Sequence, residues 1–265
     1  MSTAAGVEII RAKGLTKRFG ALVAVDRLDY ALRENEVAGI IGSNGSGKTT
    51  LFNLLTGYFP PDEGTIHYEG RDITRTTPQE RVARGMMRTF QLTSTFENLS
   101  VVDNLVLAFF RAHRKSSLLR LLINTRKRHR NDGKIAAIVE TFGLRHVLDR
   151  QATHLSLGEK RRLEIAMAIL AEPKVLLLDE PLAGLAESEI KAVLDVLRSR
   201  VGKQTILIVE HKVSHVKDFV QRLTVMHEGR IIADGEPDKV LRHPEVRRSY
   251  WQIDGSAGEA RSAAA

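Results

Sequence analysis

A glycine-rich stretch, GSNGSGKT at residues 42–49, has the residue types and spacing of a phosphate-binding loop. It follows the apolar run Val37–Ile41 and precedes the helical pattern LFNLLTG, which is the strand–loop–helix context that such a loop requires. Its glycines let the backbone wrap a phosphate group with N–H groups pointing inward. Lys48 is expected to reach the β- and γ-phosphates of ATP, and the Thr49 hydroxyl to ligate Mg²⁺. The predicted nucleotide contacts are Ser43, Asn44, Gly45, Ser46, Gly47, Lys48, Thr49 and Thr50.

Two adjacent acidic residues end a second apolar run, in the stretch KVLLLDEP at residues 174–181. Ligands bind at the carboxyl ends of buried parallel strands, which is where this pattern places both side chains. Asp179 is expected to hold Mg²⁺ through water, and Glu180 to act as general base toward the attacking water. The alternative is a strand that ends in a solvated turn, which the phosphate loop makes the weaker interpretation.

A histidine follows the next apolar run, in TILIVEH at residues 205–211. A lone histidine is more often structural or merely exposed. Here it is expected to emerge at the same sheet edge as the two acids, where His211 would hydrogen-bond the γ-phosphate and the water. The predicted catalytic set at this stage is Lys48, Glu180 and His211.

The stretch LSLGE at residues 155–159 opens an amphipathic helix and supports two interpretations. Ser156 and Glu159 have the spacing of a capping box, which is an ordinary helix start. A helix N-terminus also favours an anion, because of its free N–H groups and dipole. The chain's own phosphate loop already cradles one nucleotide. The LSLGE helix can therefore complete a nucleotide site only in a second molecule, with Ser156 and the Gly158 backbone on the partner's γ-phosphate.

The elements that position these residues alternate between strand-like and helical runs, which predicts an α/β fold with a largely parallel sheet. The runs Val37–Ile41, Val175–Leu178 and Thr205–Val209 are typical of buried strands. Residues 7–35 and 62–75 predict a small antiparallel sheet. Residues 92–160 predict a helical part, and its clearest helices are Val101–Phe110 and Lys134–Phe142. Glu228-Gly229 predicts a hairpin between the strands Leu223–His227 and Arg230–Ala233. Residues 254–265 are expected to be a disordered tail.

The composition indicates a soluble cytoplasmic protein of 265 residues, with no cysteine, no secretory signal and no apolar run long enough to span a bilayer. Its net charge of +8 comes from one segment, Arg111–Asn131, which holds eight basic residues and no acid. The rest of the chain balances at 32 basic and 32 acidic residues. The segment is interpreted as a solvated insertion, a surface near anionic lipid, or a nucleic-acid contact.

Taken together, the phosphate loop, LSLGE, LLLDEP and the histidine of VEH resemble the nucleotide-binding subunits of ATP-binding-cassette (ABC) transporters, over about residues 7–250. The resemblance implies a P-loop NTPase (RecA-like) core over 7–91 and 161–235 that includes the antiparallel subdomain, an inserted helical subdomain over 92–160, and a C-terminal helical segment over 236–253. It implies that Phe19 stacks on adenine, with a core aromatic as the alternative, and that Gln91 lies near Mg²⁺ and the attacking water as a catalytic residue and metal ligand.

The resemblance also implies a function. RTFQ, TFENLSVVDNL, LSLGEKRRLEIA and HPEVRRSYW are most similar to the importer branch for branched-chain amino acids and related small amides. The chain is then expected to hydrolyse Mg-ATP as a peripheral subunit on the cytoplasmic face of the inner membrane. Its partners would be transmembrane permease subunits, a second cassette, identical or related, and indirectly an external solute-binding protein, with no nucleic acid. A soluble ABC ATPase acting on nucleic acid or ribosomes and an exporter of an envelope lipid are the alternatives.

Three positions depart from the family pattern. Ala186 stands where the loop after the acidic strand commonly ends in Asp or Asn, a side chain that normally links the two nucleotide sites. Lys160 replaces a frequent Gln, and Leu157 replaces a frequent glycine. None of the three removes a phosphate ligand or the general base, but Ala186 favours an asymmetric pair of cassettes.

Overall fold

The computed structural model describes residues 6–89, 95–112, 132–211 and 213–251, without the side chains of residues 111, 112, 250 and 251. The chain forms two compact units, one of Met1–Arg84 with Val201–Ala265 and one of Gly85–Arg200. The predicted subdomain boundaries differ from this division and stay a prediction. Among the described residues, no helix combines the length and apolar character needed to cross a membrane.

The strands are β1 (Glu8–Phe19), β2 (Leu22–Arg33), β3 (Val37–Gly42), β4 (Glu63–Tyr68), β5 (Arg71–Asp72), β6 (Met86–Arg88), β7 (Val175–Asp179), β8 (Thr205–Val209), β9 (Arg222–His227) and β10 (Arg230–Gly235). Except for β6, the strands lie in the segments where the sequence predicted strands or a small antiparallel sheet.

The helices are α1 (Lys48–Thr56), α2 (Pro78–Ala83), α3 (Val101–Ala112), α4 (Gly133–Thr141), α5 (Leu157–Leu170), α6 (Glu187–Arg198), α7 (Val213–Val216), α8 (Pro237–Leu241) and α9 (Pro244–Val246). The predicted helical runs contain helices, and the structure adds helices, α2 among them, that the sequence did not predict. Short 3₁₀ turns occupy Arg145–Val147 and Ala152–His154, and a π-turn occupies Arg247–Trp251.

The first unit contains the predicted small antiparallel sheet, in the order β2-β1-β4-β5. It also contains the strand order β10-β9-β3-β8, in which β3 is parallel to both β8 and β9. All residues of β3 and β8 are buried, as expected for parallel strands covered on both faces. The β9–β10 hairpin is confirmed: Glu228 and Gly229 both have positive φ, which the tightest hairpin turns require.

A buried arginine closes the far end of the helix that follows the phosphate loop. Arg81 is 2% exposed, and its guanidinium donates to the carbonyl oxygens of Leu54 and Leu55 at 2.7 Å and of Ile73 at 2.6 Å. The bonds to Leu54 and Leu55 satisfy carbonyl groups in the last turn of α1, where the helix itself supplies too few N–H partners. Arg81 therefore stabilises the end of α1 that is remote from the loop.

The second unit pairs β6 with β7 in parallel and carries α3, α4, α5 and α6. Strand β7 is buried along its whole length. Helix α5 buries residues around most of its circumference, among them Leu163, Ile165 and Ala166, so it lies within the unit and not on its surface. The α/β class, with a phosphate loop after β3 and helical segments between β6 and β7, is confirmed.

Candidate nucleotide site

The phosphate loop joins β3 to α1 in the first unit, and its glycines are required by close backbone approach. Gly47 has φ +99°, and a Cβ atom there would overlap the carbonyl oxygen of Ala24. A Cβ at Gly42 would overlap the Met226 carbonyl oxygen. Gly45 also has positive φ, +80°, but a Cβ there would meet open space. Gly42 and Gly47 thus let the loop follow its tight path against neighbouring strands.

The start of α1 is arranged to receive an anion. The N-cap, Gly47, offers no side chain to the first N–H groups, and no residue in the first turn is acidic. Those N–H groups and the positive end of the helix dipole are therefore available to phosphate. Lys48 is 5% exposed, and its Nζ donates to the carbonyl oxygens of Gly42 and Ser43, both at 2.9 Å. The lysine charge is held inside the curve of the loop.

The hydroxyl and amide residues of the loop differ in exposure. Asn44 and Thr49 are exposed, and Ser43 and Thr50 are half-buried. The Ser46 Oγ atom is buried and has no hydrogen-bond partner among the described residues. The exposed Thr49 hydroxyl in the first turn of α1 is free to face a ligand, as the prediction of a metal contact requires.

Phe19 ends β1 as a surface aromatic. It is 44% exposed, which argues against the core-aromatic alternative. The Phe59 ring packs against it edge-to-face, with ring centroids 5.6 Å apart, and the Lys17 ammonium lies 5.7 Å from the Phe19 centroid. A half-exposed ring with a fixed orientation offers a surface on which a planar base can stack.

The two acidic residues at the end of β7 have different environments in the second unit. Asp179 is fully buried, and its Oδ2 atom accepts a charge-assisted hydrogen bond from Arg88 Nη2 at 2.6 Å. Its other carboxylate oxygen, Oδ1, is buried without a partner among the described residues. Glu180 is half-buried and has φ +46°, an uncommon backbone conformation for a residue other than glycine.

These observations bear on whether the site can hold Mg²⁺. A buried carboxylate oxygen without a partner is costly in a protein interior, and a cation or its bound water would satisfy Asp179 Oδ1. The described residues contain no cluster of three or more His, Asp or Glu side chains that could hold a metal alone. Hydroxyl and carboxylate oxygens are ligands that Mg²⁺ prefers. The Thr49 hydroxyl in the first unit and the Asp179 carboxylate in the second unit are each of a chemical type that fits this ion.

A second arginine contacts the backbone at the end of β7, where Asp179 and Glu180 lie. Arg161, on α5, is 2% exposed, and its Nη2 atom donates to the carbonyl oxygens of Glu180 at 2.6 Å and Asp179 at 3.2 Å. Its Nη1 atom donates to Glu164 at 2.7 Å. Arg88 and Arg161 were not predicted from the sequence, because no spacing or periodicity marks either of them.

The LSLGE stretch forms the predicted capping box. The Ser156 hydroxyl accepts from the Glu159 N–H, and Glu159 Oε2 accepts from the Ser156 N–H at 2.8 Å and from its hydroxyl at 2.9 Å. Partial burial opposes ionisation of Glu159, but these bonds together with the nearby His146 ring, 3.0 Å from Glu159 Oε1, lower the pKa of the carboxyl below its usual range. Ser156 is exposed, whereas a Cβ at Gly158 would lie 2.6 Å from Glu189 Oε1. The helix start is an ordinary cap, and it also leaves Ser156 on the surface.

The remaining predicted residues are distributed as follows. His211 lies half-buried directly after β8, two residues beyond its last residue, in the first unit. Ala186 is the N-cap of α6 and supplies no side-chain cap. Gln91, the basic segment beyond Ala112 and the tail from residue 254 lie outside the described residues.

The structure thus assembles the predicted residues in two groups. The first unit holds Phe19, the phosphate loop and His211. The second unit holds Ser156, Gly158, Asp179 and Glu180, with Arg88 and Arg161 against the last two.

Comparison with known proteins identifies the family of this chain. The family described as "ABC transporter" matches residues 25–183. The high-affinity branched-chain amino acid transport ATP-binding protein LivG of Salmonella typhimurium is 36% identical over 248 residues, covering 91% of this chain and 97% of LivG. BraF of Pseudomonas aeruginosa, with the same description, is 37% identical over 250 residues with the same coverage.

A solved structure gives the same result. The ADP conformation of an ATP-binding cassette of an ABC transporter superposes with a TM-score of 0.75 at 33% identity, covering 92% of this chain and 98% of that one. A family match over more than half of the chain and relatives matched along almost their whole length leave one conclusion. The chain belongs to the ABC transporter family, as an ATP-hydrolysing nucleotide-binding subunit.

Proposed function

We propose that this chain drives an importer of branched-chain amino acids or related small amino acids and amides. The observation that carries the proposal is its similarity to LivG and BraF, which extends over 91% of the chain and includes the segments on either side of the nucleotide-binding motifs. In this proposal the chain is peripheral on the cytoplasmic face of the inner membrane. Transmembrane permease subunits carry the solute, and an external solute-binding protein delivers it.

The chemistry assigned to the site is ATP hydrolysis by attack of water on the γ-phosphorus. Glu180 accepts a proton from the water, and Lys48 and His211 donate to oxygens of the γ-phosphoryl group as its charge redistributes. Thr49 and Asp179, with Gln91, would hold Mg²⁺. When bound, this ion neutralises charge on the β- and γ-phosphate oxygens.

The remaining site residues bind and orient the nucleotide. The half-exposed ring of Phe19 stacks on adenine, while the N–H groups of the phosphate loop and the first turn of α1 hold the phosphates. Holding the γ-phosphate and the water in one orientation removes entropy from the reaction before it begins.

Each nucleotide-binding site is completed by residues of a second cassette. Ser156 is exposed, and its hydroxyl and the Gly158 backbone would contact the γ-phosphate bound to the partner. ATP then joins the two cassettes, and hydrolysis separates them. Ala186 lacks the side chain that links the two sites in the family pattern, which favours a pair of related but different cassettes.

The test uses Glu180→Gln, which keeps the shape of the side chain but cannot accept a proton. We expect ATP turnover to fall by about 10²- to 10⁴-fold while ATP binding is retained and a dimer accumulates. The exposed acid seven residues further along supplies a matched control, Glu187→Gln, which should turn over ATP normally. A Glu180→Gln variant with normal turnover would remove Glu180 from the role of base.

The same variant identifies the partners. Affinity isolation with Mg-ATP from detergent-solubilised membranes should recover multi-span membrane proteins and a related cassette. Cells lacking the chain should then lose uptake of labelled leucine, and the wild-type gene should restore it. Recovery of ribosomal proteins or nucleic acid without a membrane subunit, or of an envelope-lipid export machinery, would contradict the proposed import function while leaving the family intact.

A further inference from the structure

The guanidinium group of Arg161 is fixed in the interior of the second unit. Its Nη1 atom bonds Glu164 one turn further along α5 at 2.7 Å, and the two side chains are 3% and 5% exposed. The charge is therefore balanced locally by Glu164. The Nη2 atom reaches across to the end of β7, where it contacts the carbonyl oxygens of Asp179 and Glu180.

Those two carbonyl groups belong to the two peptide planes on either side of the Glu180 Cα atom. Fixing both planes fixes the backbone dihedral angles of Glu180, and therefore the direction of its Cα–Cβ bond. This residue has φ +46°, a conformation that a non-glycine side chain adopts only when the surroundings impose it. A single guanidinium group thus sets the direction in which the Glu180 carboxylate leaves the backbone.

The helix that carries Arg161 also begins at LSLGE. Arg161 follows Gly158 by three residues and Ser156 by five, so all three lie within the cap and the first turns of α5. A hydrogen-bonded helix moves as a unit over such a short distance. A displacement of the helix start, where the partner's nucleotide is proposed to bind, would therefore move the Arg161 guanidinium.

We propose that Arg161 is a positioning residue that couples the LSLGE helix start to the general base in the same chain. The inference rests on the proposed function, because it needs Glu180 as base and Ser156 and Gly158 as contacts of the partner's ATP. Through Arg161, nucleotide held at the partner's site changes the direction in which the Glu180 carboxylate points, and so its orientation toward the chain's own nucleotide. This route lies within one unit and does not use the side chain that is missing at Ala186.

The test measures kcat, the KM for ATP, the Hill coefficient and the thermal midpoint of the two-cassette complex assembled with the full-length chain or one of its variants. Arg161→Lys keeps the charge but loses the planar fork that reaches both carbonyl groups. The double variant Arg161→Met with Glu164→Met removes both charges of the pair together, so neither is left buried without the other. Arg81→Lys is the matched control, since Arg81 is equally buried and also bonds carbonyl groups, at the far end of α1.

We expect the double variant to lose up to about 100-fold in kcat, the loss typical of a misplaced catalytic group, with a KM changed by less than about twofold. Its Hill coefficient should fall to about 1, because the two sites no longer communicate. Arg161→Lys should give an intermediate kcat. Arg81→Lys should lower the thermal midpoint and leave kcat and the Hill coefficient at their wild-type values.

The inference is overturned if the Arg161 variants behave as Arg81→Lys does, with a lower thermal midpoint but wild-type kcat and cooperativity. Should the double variant not fold, Arg161→Lys decides by the same criteria. Glu180→Gln in the same series separates the two proposals. If Glu180→Gln is inactive and the Arg161 variants are fully active, only the coupling is wrong, whereas an active Glu180→Gln contradicts the assigned base itself.

Discussion

Gly47 and Gly45 have similar backbone conformations but different surroundings, which makes them a matched pair. Alanine at either position would have to adopt a left-handed backbone conformation, which costs about 1–2 kcal/mol of free energy. At Gly47 the new methyl group would also overlap the Ala24 carbonyl oxygen, whereas at Gly45 it would meet open space. We expect Gly47→Ala to abolish ATP binding. We expect Gly45→Ala to lower the free energy of unfolding only slightly.

Fluorescent-nucleotide titration and urea unfolding of both variants test this expectation. Equal effects of the two substitutions would show that the backbone conformation alone, and not the close approach to Ala24, makes glycine necessary at Gly47.

Some residues of the candidate site could be predicted from the sequence, and others could not. The types of Lys48, Asp179 and Glu180 and their place after apolar runs were sufficient to predict them as site candidates. Arg88 and Arg161 gave no such signal, because their partners lie 91 and 18–19 residues away along the chain. An arginine that bonds a distant carboxylate or carbonyl group has no local pattern, so only the folded chain reveals it.

At the scale of elements, α6 begins without a side-chain cap. Its N-cap is Ala186, although Glu189 at the third position already bonds the Ala186 N–H at 2.9 Å. Ala186→Ser would complete a capping box, and serine avoids a second negative charge beside Glu189. We expect a gain of about 0.5–2 kcal/mol in the free energy of unfolding.

Thermal or urea unfolding measures this gain. Thr77→Ala removes the complete capping box of α2 and should change stability by a similar amount in the opposite direction. An unchanged or lowered stability of Ala186→Ser would show that the start of α6 cannot accept a side-chain cap.

The capping boxes also predict how stability depends on pH. Hydrogen bonds from the Thr77 N–H and hydroxyl lower the pKa of Glu80. Burial raises the pKa of Glu159, but the bonds from Ser156 and the contact with His146 together lower it. A carboxyl whose pKa is lower in the folded state stabilises the fold in its ionised form. Its contribution is complete above about pH 4.3, the ordinary glutamate value, and is lost as the pH falls through the lowered pKa.

Glu80→Gln tests this at a distance from the nucleotide site, since glutamine does not titrate. The wild-type chain should lose stability more steeply than Glu80→Gln between about pH 4.5 and pH 3. Parallel curves for the two proteins would show that the Thr77–Glu80 box has no ionic component.

Elements were predictable in proportion to their length and burial. The run Thr205–Val209 is β8 without adjustment, and β3 and β7 each extend one residue beyond the predicted runs. The three-residue β6 and the six-residue α2 were not predicted. A six-residue helix spans less than two turns, and a three-residue strand spans little more than one alternation, so no period can be recognised in either.

At the scale of the whole molecule, the charge distribution predicts an interaction with the membrane surface. All of the net charge of +8 can be assigned to residues 111–131. Replacing Arg126, Lys127, Arg128 and Arg130 with glutamate should weaken binding to vesicles containing phosphatidylserine by at least about 1 kcal/mol for each residue replaced, because each change removes a positive charge and adds a negative one. Binding should also decrease with added salt.

Vesicle co-sedimentation measures this, with pure phosphatidylcholine vesicles as the uncharged control. If the variant instead loses RNA binding and keeps its vesicle binding, the basic segment contacts nucleic acid. That result would support the alternative of a soluble ABC ATPase that acts on nucleic acid or ribosomes.

The close approach of the phosphate loop to its neighbours has a consequence for rates. Gly47 is confined by Ala24 of β2 and by Gly229 of the β9–β10 turn, so the loop cannot open far without displacing two strands. A preorganised loop loses little conformational entropy when phosphate arrives. Encounter with nucleotide then needs no slow rearrangement of the loop. Substitutions that alter affinity at this loop should therefore act mainly on the residence time of the nucleotide and hardly on its rate of arrival.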